Sequence, residues 1–405
     1  MLTEKQQQQV IELCQKLVQT RSYSGQEKDV AEKIKEYARE HNFDDVITDD
    51  LGNVMLVIDG NQDGQVILFD GHIDTVTVQK ENWTVEPFSG EIKDGKIYGR
   101  GTSDMKGAVS AMISAAINFA EETNKVFPGK IVVSCSVHEE CFEGIATRKV
   151  NEVIKPDYVV IGEATNLNLN RGQRGRAEIV LESFGKSAHS SNPEAGVNAV
   201  YKTMKLVDVI QALPVPENEV LGKGILELTD IKSSPYPGSS VVPSYCKVTF
   251  DRRLLVNETK ESVLKPIEDL IEKIKSEDKD FDVKVSYSAG EEKCYTGATI
   301  SAERFFPAWL FDENEEFVEV PFENLKKVNP EIKISHYSFC TNGSHFAGEA
   351  GIPTIGFGPS PENLAHTDDE YIEINQLTAA TEGYSAIMKA LSIISPAKKE
   401  EQANV

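Results

Sequence analysis

The sequence is poor in positive charge. Its 405 residues include 42 lysine and arginine residues against 65 aspartate and glutamate residues, so the formal net charge is −23 at pH 7. Nucleic acids and anionic membranes are bound through basic surfaces. The composition therefore disfavours both as partners of this protein.

The sequence also lacks an apolar run of the length that crosses a bilayer, about 20 residues. Its first segment, MLTEKQQQQVIELCQKL, is polar and amphipathic, unlike a secretory signal peptide. A content of 40% hydrophobic and 26% charged residues is ordinary for a globular protein. We therefore predict a cytoplasmic protein, and its length favours two domains.

Cysteines are few and their spacing matches no zinc finger. The six occur at positions 14, 135, 141, 246, 294 and 340, and none forms a CxxC pair. Cys135 lies within an apolar run and is predicted to be a small core residue. Cys141 directly follows Glu140, which leaves a metal-binding or reactive role as the lesser alternative.

Five separated segments each place metal-ligand side chains directly after an apolar run. Short β-branched runs predict buried strands, and open α/β sheets bind ligands outside the carboxyl ends of their strands. Two histidines and at least three carboxylates are therefore expected at one sheet edge, where so many acids need cations. The segments are His72 and Asp74 after residues 66–69, Asp104 after 97–98, Glu139 and Glu140 after 131–137, Glu163 after 158–161, and His366 after 354–357.

The spacing within two of these segments predicts local roles. Because residues i and i+2 of a strand point to the same side, Asp74 can accept the second ring N–H of His72. Glu139 and Glu140 are neighbours, so the chain must turn after Val137 for both to face the site. One carboxylate is then expected to bind metal and the other to move protons. Taken alone, the first pair would be a surface strand end and the second a solvated acidic turn.

The ordered set HxD, GRGxxDMKG, EE, GE and a late histidine resembles the M20 family of co-catalytic zinc metallopeptidases. That family includes carboxypeptidase-like, acetylornithine deacetylase-like and succinyl-diaminopimelate desuccinylase-like enzymes. The likeness runs from about Val10 to about Leu391. The combination of RGQRGR with EECFEG is also similar to a subgroup of hydrolases linked to selenium metabolism. Ala164 departs from the proline that family members commonly carry after the glutamate.

The resemblance implies two bound zinc ions, for which cobalt or manganese could substitute. Asp104 would bridge the two ions, and the peptide bond between Asp104 and Met105 would be cis. The implied ligands are His72, Asp104 and Glu163 for one ion, and Asp104, Glu140 and His366 for the other.

The resemblance also implies the catalytic groups. Glu139 would be the general base and acid, and Asp74 would orient His72. His189 matches the histidine that in similar dimers reaches the partner's site and stabilises the oxyanion. A surface histidine is the alternative reading of that residue.

The implied reaction is cleavage of the amide bond of an N-acyl amino acid or small peptide that carries a carboxylate. N-carbamoyl (ureido) amino acids are the alternative substrates, because the chemistry at the carbonyl is shared. Arg253 is our first candidate for binding the substrate carboxylate and Arg174 the second, although salt bridging explains both equally well. Asn342, in a segment similar to the family's substrate loop, would hydrogen-bond the substrate.

Two other classes of function fit the sequence less well. A non-catalytic binding module should have lost a ligand or the free glutamate, and none is missing. The hypothesis of a nucleotide-binding enzyme depends on Gly99, Gly101 and Gly107. Their spacing matches neither GxGxxG nor GxxxxGK[ST].

The predicted fold is α/β, with a mixed sheet flanked by helices and an inserted ferredoxin-like α+β lid. We expect helices over residues 3–21, 25–42 and 105–122, with Ser24 capping the second, and the first strands over 53–57, 66–69 and 131–137. The lid has the order β-α-β-β-α-β. Its elements are expected at residues 177–184, 196–213, 225–231, 246–254, 258–275 and 281–287.

These elements predict the division of the chain. Residues 1–176 and 290–396 would form the catalytic domain and residues 177–289 the lid, and the family resemblance implies that this lid joins two subunits in a homodimer. Residues 397–405 are predicted to be a disordered tail.

Overall fold

The computed structural model describes residues 1–394, so the predicted tail lies outside the described residues. No helix in this part of the chain has both the length and the apolar character needed to cross a membrane. The α-helices are α1 (Glu4–Val18), α2 (Lys28–Glu40), α3 (Gly107–Thr123), α4 (Thr147–Ile154), α5 (Ala199–Ile210), α6 (Lys260–Glu277), α7 (Glu316–Val328) and α8 (Ile374–Leu391).

Within residues 1–394 the strands form one large sheet, one small sheet and three minor sheets of two or three strands. In chain order they are β1 (Asp45–Thr48), β2 (Val54–Asp59), β3 (Asn61–His72), β4 (Ile92–Lys93), β5 (Lys96–Tyr98), β6 (Phe127–Ser136), β7 (Tyr158–Ile161), β8 (Leu169–Gln173), β9 (Gly175–Phe184), β10 (Glu217–Asn218), β11 (Gly222–Lys223), β12 (Ile225–Ser234), β13 (Tyr245–Leu254), β14 (Asp282–Tyr287), β15 (Ala289–Lys293), β16 (Thr299–Glu303), β17 (Phe305–Phe306), β18 (Trp309–Leu310), β19 (Ile334–Tyr337), β20 (Thr354–Gly356) and β21 (Tyr371–Glu373).

The large sheet is mixed and has nine strands. Its order is β1-β2-β6-β3-β7-β20-β8-β18, and β19 pairs with β8. The central strands β6, β3, β7 and β20 are parallel to one another. Every residue of β7 is buried, as expected for parallel strands that are covered on both faces. The parallel centre brings four strand ends to one edge of the sheet.

Helix α3 lies inside the fold, as its all-round apolar sequence predicted. Its residues from Gly107 to Ile117 are all buried. The helix packs against α1, α8 and the sheet, so it has no solvent face along most of its length. The segment that precedes α3 is thereby held in the interior.

The small sheet confirms the predicted ferredoxin-like order. Strands β12, β13, β9 and β14 are antiparallel in that spatial order, and helices α5 and α6 pack on them around a separate apolar cluster. Strand β17 also pairs with β9. The small sheet therefore begins at Gly175 and takes its last strand from beyond residue 289.

The predicted cap of the second helix is wrong. Helix α2 begins at Lys28 after Glu27, and no side chain caps it. Ser24 donates its hydroxyl hydrogen to Asp74 Oδ2 instead, at 2.7 Å. Ser24 therefore belongs to the surroundings of the candidate site rather than to the helix end.

Candidate metal centre

The four parallel strands deliver most of the candidate ligands to one edge. His72 is the last residue of β3 and pairs with Ser136, the last residue of β6. Glu139 and Glu140 lie in the turn that follows β6, Glu163 follows β7, and His366 lies in the loop after β20. The expected convergence at the carboxyl ends of the strands is thus present in the structure.

Asp104 reaches the same edge from the segment between β5 and α3. Its backbone is not helical (φ −129°, ψ 94°), and the peptide bond to Met105 is cis, as predicted. The residue is 9% exposed. Helix α3 starts directly beyond this segment, so the buried helix fixes the direction in which Asp104 enters the site.

The two oxygens of Asp104 face different histidines. Oδ1 lies 2.9 Å from His72 Nε2, and Oδ2 lies 3.2 Å from His366 Nε2. Glu163 Oε1 is 3.4 Å from His72 Nε2, and Glu140 Oε2 is 2.9 Å from His366 Nε2. Two sets result, each with ligand atoms within 4.8 Å of one another: a first set of His72, Asp104 and Glu163, and a second set of Asp104, Glu140 and His366.

The donor chemistry of both sets fits divalent cations. Within residues 1–394, no lysine or arginine forms an ion pair with Asp104, Glu139, Glu140 or Glu163. Glu140 Oε1 is buried and has no hydrogen-bond partner in this part of the chain. Uncompensated buried carboxylates are costly. Zinc binds imidazole nitrogen together with carboxylate oxygen, and cobalt and manganese accept the same donors.

The carboxylates stabilise the protonated, positively charged form of both histidines. Burial alone would lower the pKa of His72, but hydrogen bonds to Asp104 and other carboxylates raise it well above 6.5. Hydrogen bonds to Asp104 and Glu140 raise the pKa of His366 to about 10. Burial and the charge of Asp104 raise the pKa of Glu140 to about 7 and also raise that of Glu163. Each set is therefore a centre of strong negative potential.

Asp74 lies behind His72 and holds it in place. His72 Nδ1 is 3.0 Å from the main-chain oxygen of Asp74 and 3.5 Å from its Oδ1, so the nearer acceptor is the carbonyl rather than the predicted carboxylate. The carboxylate accepts hydrogen bonds from Ser24 Oγ and from the backbone N–H groups of Glu139 (3.1 Å) and Glu140 (3.2 Å). Asp74 thus connects the histidine to the glutamate turn.

Glu139 borders a cleft of about 670 Å³ that opens beside both sets. Its Oε2 lies 3.9 Å from His72 Nε2, and the residue is 6% exposed. Burial raises the pKa of Glu139 well above 4.5, the charge of His72 opposes this, and Glu163 adds to it. Of the two neighbouring glutamates, Glu140 lies within hydrogen-bond distance of a histidine and Glu139 does not.

Two arginines line the same cleft and differ in their partners. Arg176 is held by three carboxylates: Glu143, Glu178 and Asp251. Arg253 pairs with one carboxylate, that of Asp251, whose Oδ1 lies 2.8 Å from Arg253 Nε. No other carboxylate among the described residues pairs with Arg253, so its guanidinium is less fully engaged than that of Arg176 and is available to a ligand.

Comparison with known proteins identifies the family of the chain. The profile of Peptidase family M20/M25/M40 matches residues 68–390. The chain belongs to this family. It is therefore an enzyme of a metal-dependent peptidase and deacylase family, whose members hydrolyse their substrates.

Individual relatives of this M20-family chain span nearly its full length. An uncharacterized protein, YgeY, of Escherichia coli (strain K12) is 33% identical over 374 residues, with 90% of each chain covered. Succinyl-diaminopimelate desuccinylase 2 of Ruegeria sp. (strain TM1040) is 26% identical and covers 94% of each chain. The crystal structure of the aminopeptidase PepT from Bacillus cereus ATCC 10987 superposes with a TM-score of 0.74 at 22% identity, covering 95% of this chain and 99% of that one.

Three predicted site residues of this M20-family enzyme lie away from the open cleft. Arg174 donates from Nε to the carbonyl of Leu221 at 2.7 Å and is not among the cleft-lining residues. His189 is exposed, and its Nδ1 accepts from Ser191. Neither is near the metal ligands of its own chain in the described contacts.

Asn342 is the third of these predicted site residues, and both polar atoms of its side chain are hydrogen-bonded to other protein groups. Nδ2 donates to Asp70 Oδ2 and to Ser136 Oγ, both at 2.9 Å, and Oδ1 accepts from Gly144 N at 2.8 Å. The residue is 4% exposed. In this conformation Asn342 braces the strand ends and the glutamate turn, and its hydrogen-bonding atoms face other protein groups rather than the cleft.

The roles of several charged residues around the ligands were not predicted from the sequence. Glu143 and Arg176 line the cleft, and Arg100 and Glu370 form a buried pair beneath Asp104. Arg100 lies within the GRGxxDMKG segment and Glu370 lies just after His366. Their closeness to ligands was the available signal, but their pairing depends on contacts between distant parts of the chain.

Proposed function

We propose that this enzyme hydrolyses the amide bond of an N-acyl amino acid or small peptide that carries a carboxylate. The observation that carries the proposal is the position of Asp104, with one oxygen toward His72 and the other toward His366. A carboxylate placed in this way can be shared by two cations. The family's hydrolytic activity supplies the reaction class.

We assign one zinc ion to each set, with cobalt or manganese as substitutes. His72, Asp104 and Glu163 would hold the first ion, and Asp104, Glu140 and His366 the second. When bound, such a pair of ions lowers the pKa of a water molecule and polarises a carbonyl. The mixed nitrogen and oxygen donors support this choice of metals.

Glu139 is our general base and general acid. It borders the cleft and is the glutamate that lies beyond hydrogen-bond distance of a histidine. In the proposed reaction Glu139 Oε2 takes a proton from the attacking water and later returns it to the leaving amine. Asp74 holds His72 and the glutamate turn in fixed relative positions, through its contact with His72 Nδ1 and its hydrogen bond from Glu139 N.

Arg253 is our candidate for the substrate carboxylate. It lines the cleft and pairs with a single carboxylate, Asp251, and a guanidinium fits a carboxylate with two parallel hydrogen bonds. The relative from Ruegeria is named for a substrate of this general kind. Ureido amino acids have the same carbonyl chemistry and remain within reach of the same residues.

The division of the chain and its assembly belong to the same proposal. Residues 1–176 and 290–396 would form the catalytic domain and residues 177–289 a lid, which is supported by the two separate apolar clusters. Exposed apolar residues on α5 and β12, namely Tyr201, Met204 and Ile231, support a homodimer through this lid. His189 would then act in the partner's site. Six unpaired cysteines suit a cytoplasmic location.

The test is product identification by mass spectrometry with a pooled library of acyl, carbamoyl and dipeptide amides. The zinc-loaded protein should release free amine from at least one carboxylate-bearing member. Protein treated with a chelator should release none, and added zinc should restore the reaction. No hydrolysis by metal-loaded protein across the library would refute the proposed function, and sedimentation as a monomer only would remove His189 from it.

A further inference from the structure

Glu370 is a fully buried carboxylate whose two oxygens accept four hydrogen bonds. The residue is 0% exposed. Oε2 accepts from Arg100 Nη1 at 2.6 Å and from Gly101 N at 3.1 Å. Oε1 accepts from Ser103 N at 2.8 Å and from Asp104 N at 3.1 Å. All four donors lie in the segment that ends at Asp104, so one carboxylate fixes the backbone of that segment.

Glu370 itself belongs to the segment that carries His366. It lies directly before β21, which pairs with β5, and its carbonyl accepts from Gly99 N at 2.8 Å. Arg100 extends the connection, because its Nη2 lies 3.5 Å from the carbonyl oxygen of His366. The segments of Asp104 and His366, which are distant in sequence, are therefore joined through Arg100 and Glu370.

This arrangement restrains the site, because moving the Asp104 segment relative to the His366 segment would break buried hydrogen bonds. A turn of the backbone at Asp104 would leave buried N–H groups of Ser103 and Asp104 without acceptors. Loss of the carboxylate charge would leave the guanidinium of Arg100, which is 3% exposed, buried and unpaired. Asp104 must keep one oxygen toward each histidine, so a fixed backbone at this residue matters for both sets.

We propose that Glu370, together with Arg100, is a positioning residue for the metal centre. It holds Asp104 and His366 at the separation that the second set requires, and it contacts neither substrate nor metal. The second set depends on it most, because His366 is at the open edge of the site with its side chain 53% exposed. This inference rests on the proposed function, in that the two sets bind divalent ions.

The test measures metal binding by the full-length protein rather than its activity. Apo protein is titrated with Zn²⁺ by calorimetry and with Co²⁺ by visible absorption, which reports each site separately. The wild type should bind two ions. Glu370→Gln should bind its second ion roughly 10- to 100-fold more weakly and its first ion with a smaller loss, as is usual for residues that orient metal ligands.

Glu258→Gln is the matched control. Glu258 also pairs with a buried arginine, Arg252, and accepts the backbone N–H of Leu255 at 2.7 Å, but it lies in the small sheet region. This substitution should lower the melting temperature and leave both ion affinities at their wild-type values. If Glu370→Gln behaves in the same way as this control, Glu370 is merely structural and the proposal is overturned.

A second variant covers the case in which Glu370→Gln does not unfold cooperatively. Arg100→Lys keeps a positive charge beside Glu370 and leaves the three backbone hydrogen bonds in place. It should weaken binding of the second ion by about tenfold, the lower end of the usual effect for residues that orient metal ligands, and an unchanged affinity would overturn the proposal. A wild type that binds no second ion would refute the dinuclear site itself, which distinguishes failure of the proposed function from failure of this inference.

Discussion

Glu139 Oε2 lies 3.9 Å from His72 Nε2, which places this carboxylate beside the first set without a hydrogen bond to its histidine. Its neighbour Glu140 lies 2.9 Å from His366. Glu139→Gln should therefore keep both ions but lose the proton-transfer group, so kcat should fall by about 10²- to 10⁴-fold. Steady-state kinetics and elemental analysis of the same preparation measure both effects.

Glu143→Gln is a control for a general change of charge in the cleft. Glu143 borders the cleft and pairs with Arg176 at 2.9 Å, but it belongs to neither set. A much smaller loss of kcat is expected for this variant. A Glu139→Gln enzyme that turns over near the wild-type rate would show that another group moves the proton.

Substitution of single ligands should empty the two sets independently. His366→Ala and Glu140→Gln should each reduce the metal content from two ions to about one, because their side chains belong only to the second set. Asp104→Asn should reduce it further, since this carboxylate belongs to both sets. Metal content is measured by elemental analysis after equilibrium dialysis against zinc.

Glu163→Gln provides the reciprocal case, because it should empty the first set and preserve the second. The pattern across these variants is what identifies the ligands. Equal loss of both ions in His366→Ala and in Glu163→Gln would mean that the two sets are not separate sites.

The sequence predicted the architecture well where strand ends determine position. Parallel strands of a buried sheet must place residues such as His72 and Glu163 at the same edge, so their meeting follows from the apolar runs alone. The order of the lid elements was likewise readable from alternating periodicity. The start of β3 was not predictable in this way, because its exposed first third, from Asn61 to Gly64, has no apolar pattern.

Residues that act through distant contacts were not predictable in this way. Ser24 has the sequence context of a helix cap, yet its hydroxyl reaches Asp74 because the chain brings the two together from 50 residues apart. Asn342 has a plausible substrate loop around it, but Asp70 and Ser136 take up its amide. A lone polar residue does not reveal its partners until the packing of the elements is known.

Arg253 should determine selectivity for a substrate carboxylate. Arg253→Met removes a charge-assisted interaction worth about 1.5–3 kcal/mol, so kcat/KM should fall roughly 10- to 150-fold for a carboxylate substrate. The same substrate with its carboxylate converted to an amide should be affected little. Kinetics with the matched pair of substrates separates loss of recognition from general damage.

Arg174→Met is the matched control, because Arg174 donates to the carbonyl of Leu221 and does not line the cleft. It should change kcat/KM by a similar small factor for both substrates. If instead Arg174→Met shows the selective loss and Arg253→Met does not, the carboxylate is bound by Arg174 after a rearrangement of the lid.

A charge cluster on the far side of the glutamate turn should contribute to acid stability. Glu349 Oε2 lies 2.8 Å from His345 Nδ1 and accepts from Arg148 Nε at 2.9 Å. Burial alone would raise the pKa of Glu349, but the hydrogen bonds from His345 and Arg148 outweigh it and lower the pKa to about 2. The cluster contacts none of the proposed metal ligands.

Because the pKa of Glu349 is lower in the folded state than its ordinary value of 4.5, its stabilising contribution is fully present above about pH 4.5 and is lost as the pH falls toward 2. Glu349→Gln should therefore lower the urea midpoint at pH 7, and its difference from wild type should shrink as the pH is lowered to about 3. Glu122→Gln, which removes an exposed pair with Lys389, should change the midpoint little at any pH. A difference between Glu349→Gln and wild type that stays constant across this range would show that the ionised carboxylate is not what stabilises the cluster.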